Sequence, residues 1–199
     1  MPFDLIVRDV WERAAVSLAI PMGSNSHALH LFFSQTGKFV AEKSNIWRDC
    51  VDGHYDWVKQ DIVEMGVSLN DPDNCGDHPL LLAAGNGHLA VCQLLVDEGA
   101  DLDQRNVMGE TALIRAAHNG HMSTVQYLVE KGTSIDAIDS GDNTALHWAS
   151  MRGHVEIVKY LLQKGADRTI QNKQGKMPID LAQPCWSDAY RFTRQVLAS

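Results

Sequence analysis

Histidine and cysteine give this sequence its clearest capacity for chemistry, because imidazoles and thiolates bind metal ions and act as bases or nucleophiles. The chain of 199 residues contains nine histidines and four cysteines. Three of the histidines, His88, His121 and His154, lie 33 residues apart, and each directly follows a glycine. Zinc ligands must converge within about 2 Å of one ion, whereas equivalent residues of successive packed units lie roughly 10 Å apart. The spacing therefore indicates structural histidines.

The cysteines show no CxxC pair and no metal-ligand spacing with histidine, which is typical of free thiols in a reducing compartment. They are Cys50, Cys75, Cys92 and Cys185. Cys75 lies three residues before His78, but proximity along a loop does not indicate a catalytic dyad, and the sequence leaves a Cys–His pair elsewhere open. Residues 35–38, Gln-Thr-Gly-Lys, lack the first glycine and the final Ser/Thr of a phosphate loop. We expect no enzymatic activity, cofactor or metal ion.

A register of 33 residues organises the sequence far beyond the histidines. Two further sets of residues share it. Gly99, Gly132 and Gly165 each follow a second apolar segment, and Leu80, Leu113 and Leu146 each open a first one. Self-similarity at this period predicts a stack of small structural units in which each unit contacts its neighbours.

Each repeated position has a physical role in a helical hairpin. Leu113 with Ala116 and Ala117 predicts a short first helix whose small side chains allow close helix approach. Gly120 ends this helix, because glycine adopts positive φ without a Cβ clash. Apolar spacing after residue 154 predicts a second helix that Gly165 ends. A single hairpin cannot bury its apolar face, so stacking must supply the core.

One segment carries a specific resemblance to a known family. Residues 143–167 contain Thr144-Ala-Leu-His147, a Gly153-His154 turn and the double leucine Leu161-Leu162. This segment resembles the ankyrin-repeat family. The resemblance implies an all-α solenoid of stacked helix-turn-helix repeats with projecting loops or β-hairpins. It also implies that His147 forms a hydrogen bond between repeats.

The register divides the chain into four parts. We predict an N-terminal helical cap or accessory segment over 1–45, a degenerate repeat over 46–75, three sound repeats over 76–174, and a capping repeat over 175–199. A further decayed repeat within 1–45 stays an alternative.

Three parts of the sequence depart from the repeated pattern, and each departure predicts a local feature of the structure. Asp142 replaces the loop glycine of the third repeat, so we expect a loop tip of different shape there. His78-Pro79 replaces the threonine that opens the other repeats, which predicts weaker hydrogen bonding within the first one. In the last repeat we align Phe192, Val196 and Leu197 with core positions and expect the intervening Arg191, Arg194 and Gln195 to face solvent.

Charge restricts the class of partner. The formal net charge is −8, which disfavours direct nucleic-acid binding. Residues 49–103 hold twelve acidic residues against the single base Lys59, a formal charge of −11 that we call the acidic block. It is either a solvated surface that keeps the protein soluble or an electrostatic guide for a basic partner.

The start of the chain bears on its location. No apolar run reaches the roughly 18 residues that span a bilayer, and Asp4, Asp9 and Glu12 occupy the place of a secretory signal's positive region. We expect a cytoplasmic or nuclear protein without a membrane partner, acting as a monomer or within a hetero-complex.

The resemblance also implies where a protein partner binds, namely at the loop tips and the exposed side of the first helices. The residues at those places in the second and third repeats are Arg105, Met108, Glu110, Arg115, His118, Asn119, Asn143, Trp148, Met151 and Arg152. Trp148 occupies the position of Arg115 and is either a binding anchor or a residue packed between neighbouring helices. We expect an adaptor, scaffold or regulatory subunit. Two alternatives are an accessory chain of a larger system whose activity lies elsewhere, and an enzyme with a site in the N-terminal segment.

Overall fold

The computed structural model describes residues 45–65, 67–182 and 188–198, and this part of the chain contains ten α-helices and no β-strand. The prediction for residues 1–44, with Cys185 of the last repeat, lies outside the described residues. The helices are α1 (Ile46–Asp52), α2 (Tyr55–Met65), α3 (Pro79–Gly85), α4 (Leu89–Asp97), α5 (Ala112–Asn119), α6 (Met122–Glu130), α7 (Ala145–Arg152), α8 (Val155–Gln163), α9 (Pro178–Leu181) and α10 (Asp188–Ala198).

The helices form five pairs that stack in chain order. The first helices α1, α3, α5, α7 and α9 pack in one row, and the second helices pack beside them in another. None of the described helices is both long enough and apolar enough to cross a lipid bilayer. The predicted all-α repeat fold is confirmed, and turns rather than β-hairpins make up the projecting segments.

Capping residues and glycines set the ends of the first helices. Thr111 and Thr144 begin α5 and α7 in extended conformation, and the hydroxyl of each accepts the backbone N–H three residues on. Gly120 and Gly153 end the same helices at φ 87° and 73°, a left-handed conformation that glycine adopts at low cost. The sequence prediction for these turns is confirmed.

The core lies between the two rows of helices. Ala83, Ala84, Ala116, Ala117 and Ala149 are fully buried on the first helices, where their small side chains permit close packing. Larger apolar residues fill the space between the rows: Leu95, Leu113, Leu128, Leu146 and Leu161. Burial of each leucine contributes about 1.5–3 kcal/mol, so stability depends on contacts between successive hairpins rather than on any one hairpin.

The repeated Gly-His dipeptide links each pair of helices to the pair before it. The ring of His154 lies against Gly120, where an added Cβ would come within 2.7 Å of its Cε1, and its Nε2 donates to the carbonyl of His118 at 3.1 Å. His88 and His121 repeat this arrangement on Gly53 and Gly87. We call these three pairings the glycine–histidine contacts. They confirm the structural role that the spacing predicted.

The last pairing in this series uses a different ring. Tyr190 of α10 lies against Gly153, with its ring atoms within 3.5 Å of an added Cβ. The residues that replace the Gly-His dipeptide here, 186 and 187, are outside the described part of the chain.

A side-chain oxygen shapes every projecting loop. Oδ1 of Asp139 accepts the backbone N–H groups of Gly141 and Asn143, at 2.7 and 2.8 Å. Asp73, Asn106 and Asn172 bind their own loops in the same way. These loops are therefore Asx turns of one type.

The expectation of a different tip in the third repeat is wrong. Asp142 adopts φ 60°, close to the 72° of Gly109 and the 69° of Gly175 at the same place. Its N–H donates to the carbonyl of Asp139 at 3.0 Å, as that of Gly109 does to Asn106 at 2.9 Å. Aspartate tolerates the left-handed region better than most residues, so the tip keeps its shape without glycine.

Two further expectations concern the ends of the stack. His78 forms no side-chain cap on α3, as predicted, but its Nε2 donates to the carbonyl of Arg105 in the next loop at 3.1 Å. In α10 the alignment of Phe192 with the core is wrong, since Phe192 is 46% exposed and Thr193 is fully buried in its place. Leu197 is buried as expected, and Arg191, Arg194 and Gln195 are exposed.

Candidate protein-binding surface

Side chains of α5, α7 and the loops before them form one continuous surface, which we call the first-helix face. It contains the ten residues singled out from the sequence. Loop and helix touch where Arg115 meets Glu110 and where Trp148 meets Asp139. The two helices touch where His118 meets Trp148 and Arg152. Five of the ten residues thus contact another of the ten, and the remaining five lie around them.

Arg115 is bound within the protein. Its Nη2 donates to Glu110 Oε2 at 2.6 Å and lies 3.5 Å from Asp77 Oδ1 of the preceding loop. Asn106 Nδ2 donates to both carboxylates, at 3.0 and 2.7 Å. The positive charge of Arg115 is therefore balanced by two acidic groups, which suits a residue that ties two loops to a helix.

Trp148 is half-buried, which lies between the two alternatives that the sequence left open. It packs against the apolar core on one side. Its Nε1 donates to Asp139 Oδ2 at 2.8 Å, and its ring lies 4.5 Å from the ring of His118 at an angle of 59°. These contacts hold the indole in one orientation, so its exposed edge is a rigid part of the surface.

His118 and Arg152 form a pair next to that indole. Arg152 Nη2 donates to His118 Nε2 at 2.7 Å, which requires the neutral imidazole with its proton on Nδ1. Burial of the ring, and then the nearby Arg152 guanidinium, lower the pKa of His118 below its usual value. The pair therefore carries a single positive charge at neutral pH.

The other predicted residues hold the edges of the surface. Arg105 Nη1 donates to the carbonyl of Ile138 at 2.8 Å, and Asn119 Nδ2 donates to that of Gly85 at 2.6 Å. Asn143 Oδ1 accepts from Asn172 at 2.8 Å. Met108 is 60% exposed at its loop tip, and Met151 is half-buried on α7. The methionines thus supply adaptable apolar contact area.

One important member of the surface was missed in the sequence. Asp139 accepts two loop N–H groups through Oδ1 and the Trp148 indole through Oδ2, so it joins the loop to the helix. The recurrence of Asp or Asn at 73, 106, 139 and 172 was a usable signal for the loop role. The bond to Trp148 had no such signal, because tryptophan occurs once at its repeat position.

Chemistry of other kinds has little support in the described residues. No group of three or more His, Cys, Asp or Glu side chains there is placed to hold a metal ion. Cys50 and Cys92 are buried free thiols, and burial raises the pKa of Cys92 to about 12 and that of Cys50 further. Such thiols are poor nucleophiles. Cys75 is exposed and free at a loop tip.

His147 fulfils the role that the resemblance implied. Its Nε2 donates to the carbonyl of Lys176 in the next loop at 3.2 Å, while its Nδ1 accepts from the backbone N–H of Thr144 at 3.1 Å. The imidazole therefore caps its own helix and links two repeats. Burial lowers its pKa.

Comparison with known families decides the classification. The family model described as ankyrin repeats (three copies) matches residues 48–139, 80–172 and 132–185. The chain belongs to the ankyrin-repeat family. Among curated proteins, none matches the chain significantly. Ankyrin repeats are in general modules of protein–protein interaction, which favours a protein as the class of partner for this chain.

Proposed function

We propose that this ankyrin-repeat protein binds a protein partner through the first-helix face and acts as an adaptor, scaffold or regulatory subunit. The observation that carries the proposal is the half-buried Trp148, held by Asp139 and His118 and flanked by Met151 and Arg152. Tryptophan and arginine are the residues that most often dominate binding energy at protein interfaces. An indole fixed before binding also loses little conformational freedom on association.

Loop tips extend the same surface. Val107 and Met108 are 75% and 60% exposed, and they lie on a loop that is fixed by the Asn106 side chain. Exposed apolar residues on an ordered loop favour contact with an apolar part of a partner.

In the proposal the acidic block acts mainly on the N-terminal side of this surface. Its exposed members are Asp52, Asp56, Asp71, Asp97, Glu98, Asp101 and Asp103. Helix α3, the first helix that directly precedes the first-helix face in the stack, has no charged residue. In the proposal the block steers a basic region of the partner toward the early repeats, with a range of about 8 Å at physiological salt.

Crosslinking in the native cell tests the proposal directly. The wild-type protein, Met108→Glu and Val63→Glu are expressed with the same tag, and crosslinked partners are quantified by mass spectrometry. Both substitutions place a carboxylate at an exposed apolar residue, but Val63 lies on α2, outside the first-helix face. We expect Met108→Glu to deplete the partner and Val63→Glu to retain it.

Two results would count against the proposal. Equal partner recovery with Met108→Glu and the wild type would show that the first-helix face is not the binding surface. Loss with Val63→Glu alone would place the binding surface on the second helices of the stack.

A further inference from the structure

Two arginines on adjacent first helices have opposite electrostatic settings. Arg115 on α5 is paired with Glu110 and Asp77. Arg152 on α7 is exposed, and within the described part of the chain it forms no ion pair with a carboxylate. Its side-chain partner is the imidazole of His118, a neutral acceptor. Among the described residues, Arg152 is therefore a positive charge on this surface that no carboxylate balances.

His118 fixes the guanidinium in place without neutralising it. The bond of 2.7 Å engages one N–H of Arg152, and the imidazole is itself held against Trp148. An arginine has five N–H donors in a planar fork, so the remaining donors stay available for a carboxylate. A guanidinium that is already oriented loses less side-chain entropy when it binds.

Apolar surface surrounds this charge on the same helix. The indole of Trp148 lies one turn before Arg152, and the half-buried Met151 directly precedes it. A ligand that fits has an anionic group beside an apolar side chain. Charge complementarity favours a carboxylate, because Arg–carboxylate bonds are charge-assisted and can be bidentate.

We propose that Arg152, positioned by His118, binds an aspartate or glutamate of the partner, with a neighbouring apolar side chain of the partner on Trp148 and Met151. This rests on the proposed function, and it names the chemistry of the partner at one place. With the acidic block at the other end of the stack, it also fixes the direction of the partner across the repeats. The partner's basic region lies over the early repeats and its acidic residue lies over α7.

A display library of short random peptides, selected on the wild-type protein, tests the inference. We expect enriched peptides to share an Asp or Glu next to an apolar residue. Arg152→Gln should weaken the best peptide by on the order of tenfold, the loss typical of one good charge-assisted contact. Replacing the peptide's acidic residue by its amide should weaken it equally on the wild type and have little further effect on Arg152→Gln.

Controls separate the positioned charge from charge in general. Arg191→Gln removes the same charge from exposed surface on α10 and should leave the affinity unchanged. His118→Phe keeps an aromatic ring beside Trp148 but removes the acceptor, and we expect a smaller loss than with Arg152→Gln. Thermal unfolding of each variant checks that the fold is retained.

The failures of the two proposals are distinguishable. Enriched peptides that bind the wild type and Arg152→Gln equally, yet compete with each other for the first-helix face, would overturn the inference and leave the proposed function standing. Enriched peptides unaffected by Met108→Glu, Trp148→Ala and Arg152→Gln would contradict both. Phosphorylated peptides that bind while their carboxylate counterparts do not would also overturn it.

Discussion

The glycine–histidine contacts and the first-helix face differ in how they use the repeat. In the contacts, His88, His121 and His154 make the same hydrogen bond to the preceding pair of helices. On the face, one repeat position holds Leu82, Arg115 and Trp148 in successive repeats. The region with identical residues holds the stack together, whereas the region with different residues presents a distinct surface. Substitutions should therefore affect stability in the first region and binding in the second.

The largest effect is expected where the contacts are closest. Gly120→Ala places a methyl group 2.7 Å from the His154 ring at φ 87°, so the ring must move away from its acceptor. We expect a loss of about 3 kcal/mol, from left-handed strain and one broken hydrogen bond. Gly132→Ala is the matched control, since its φ is 93° but nothing lies within 4 Å of the new Cβ. It should cost about 1 kcal/mol, from strain alone.

Urea unfolding of the two variants measures this difference. Equal losses of unfolding free energy would show that the His154 ring adjusts freely to the added methyl group. The distinction between the glycine–histidine contacts and the first-helix face would then rest on hydrogen bonding alone.

The next effect belongs to the first-helix face. Trp148→Ala should weaken partner binding by about 2 kcal/mol or more while the stack stays folded. Because Trp148 also donates to Asp139, the companion variant Trp148→Phe removes that bond and keeps an aromatic ring. Calorimetric titration with a selected peptide should rank the affinities wild type, Phe and then Ala. Unchanged affinity in a folded Trp148→Ala protein would remove Trp148 from the binding surface.

The two arginines should separate stability from binding within the face. Arg115→Gln removes the positive charge between Glu110 and Asp77 and leaves both carboxylates close together, so we expect a stability loss of about 1 kcal/mol. Arg152→Gln removes an exposed charge and should leave the unfolding midpoint unchanged. Equal destabilisation by both variants would contradict the different settings that we describe for them.

The smallest effect is a dependence of stability on pH at His147. Burial lowers the folded-state pKa of His147 below the unfolded value, so the unfolded chain binds the proton more readily. Stability from this group is present above about pH 6.5 and is lost as pH falls toward the folded-state pKa. Protonated Nδ1 can no longer accept from Thr144 N–H. The urea midpoints measured at neutral and at mildly acidic pH should therefore differ more in the wild type than in His147→Gln.

Much of the fold could be predicted because its determinants are local and repeated. The Gly-His turns, the threonine caps and the apolar spacing each lie within one hairpin, where residues that are close in the sequence are also close in space. The loop tip at Asp142 was predicted wrongly because we assumed that a residue other than glycine would change the backbone conformation there. The register of α10 was wrong because residues 183–187 interrupt the repeat, so the alignment across them placed Phe192 instead of Thr193 in the core.

The first-helix face was only partly predictable. Its residues follow from repeat position, but their partners come from other repeats, as when Arg115 meets Asp77 or Trp148 meets His118. Such contacts depend on how far each hairpin is shifted relative to the next, and the sequence of a single repeat does not determine this shift. Arg115 and Arg152 were both predicted from the sequence to lie on the binding surface, whereas the structure gives them different charge environments.

The pairing of a glycine in one unit with a histidine in the next has a consequence for how the chain can change in length. Each glycine–histidine contact involves only two adjacent units, and every unit from Gly87 to His154 contains both the glycine and the histidine that such contacts need. If a segment of 33 residues within this span were duplicated, the new unit would find a glycine in the unit before it and a histidine in the unit after it. Tyr190 would still cover the last glycine, so gene duplication can lengthen the molecule from the middle without redesigning its C-terminal end.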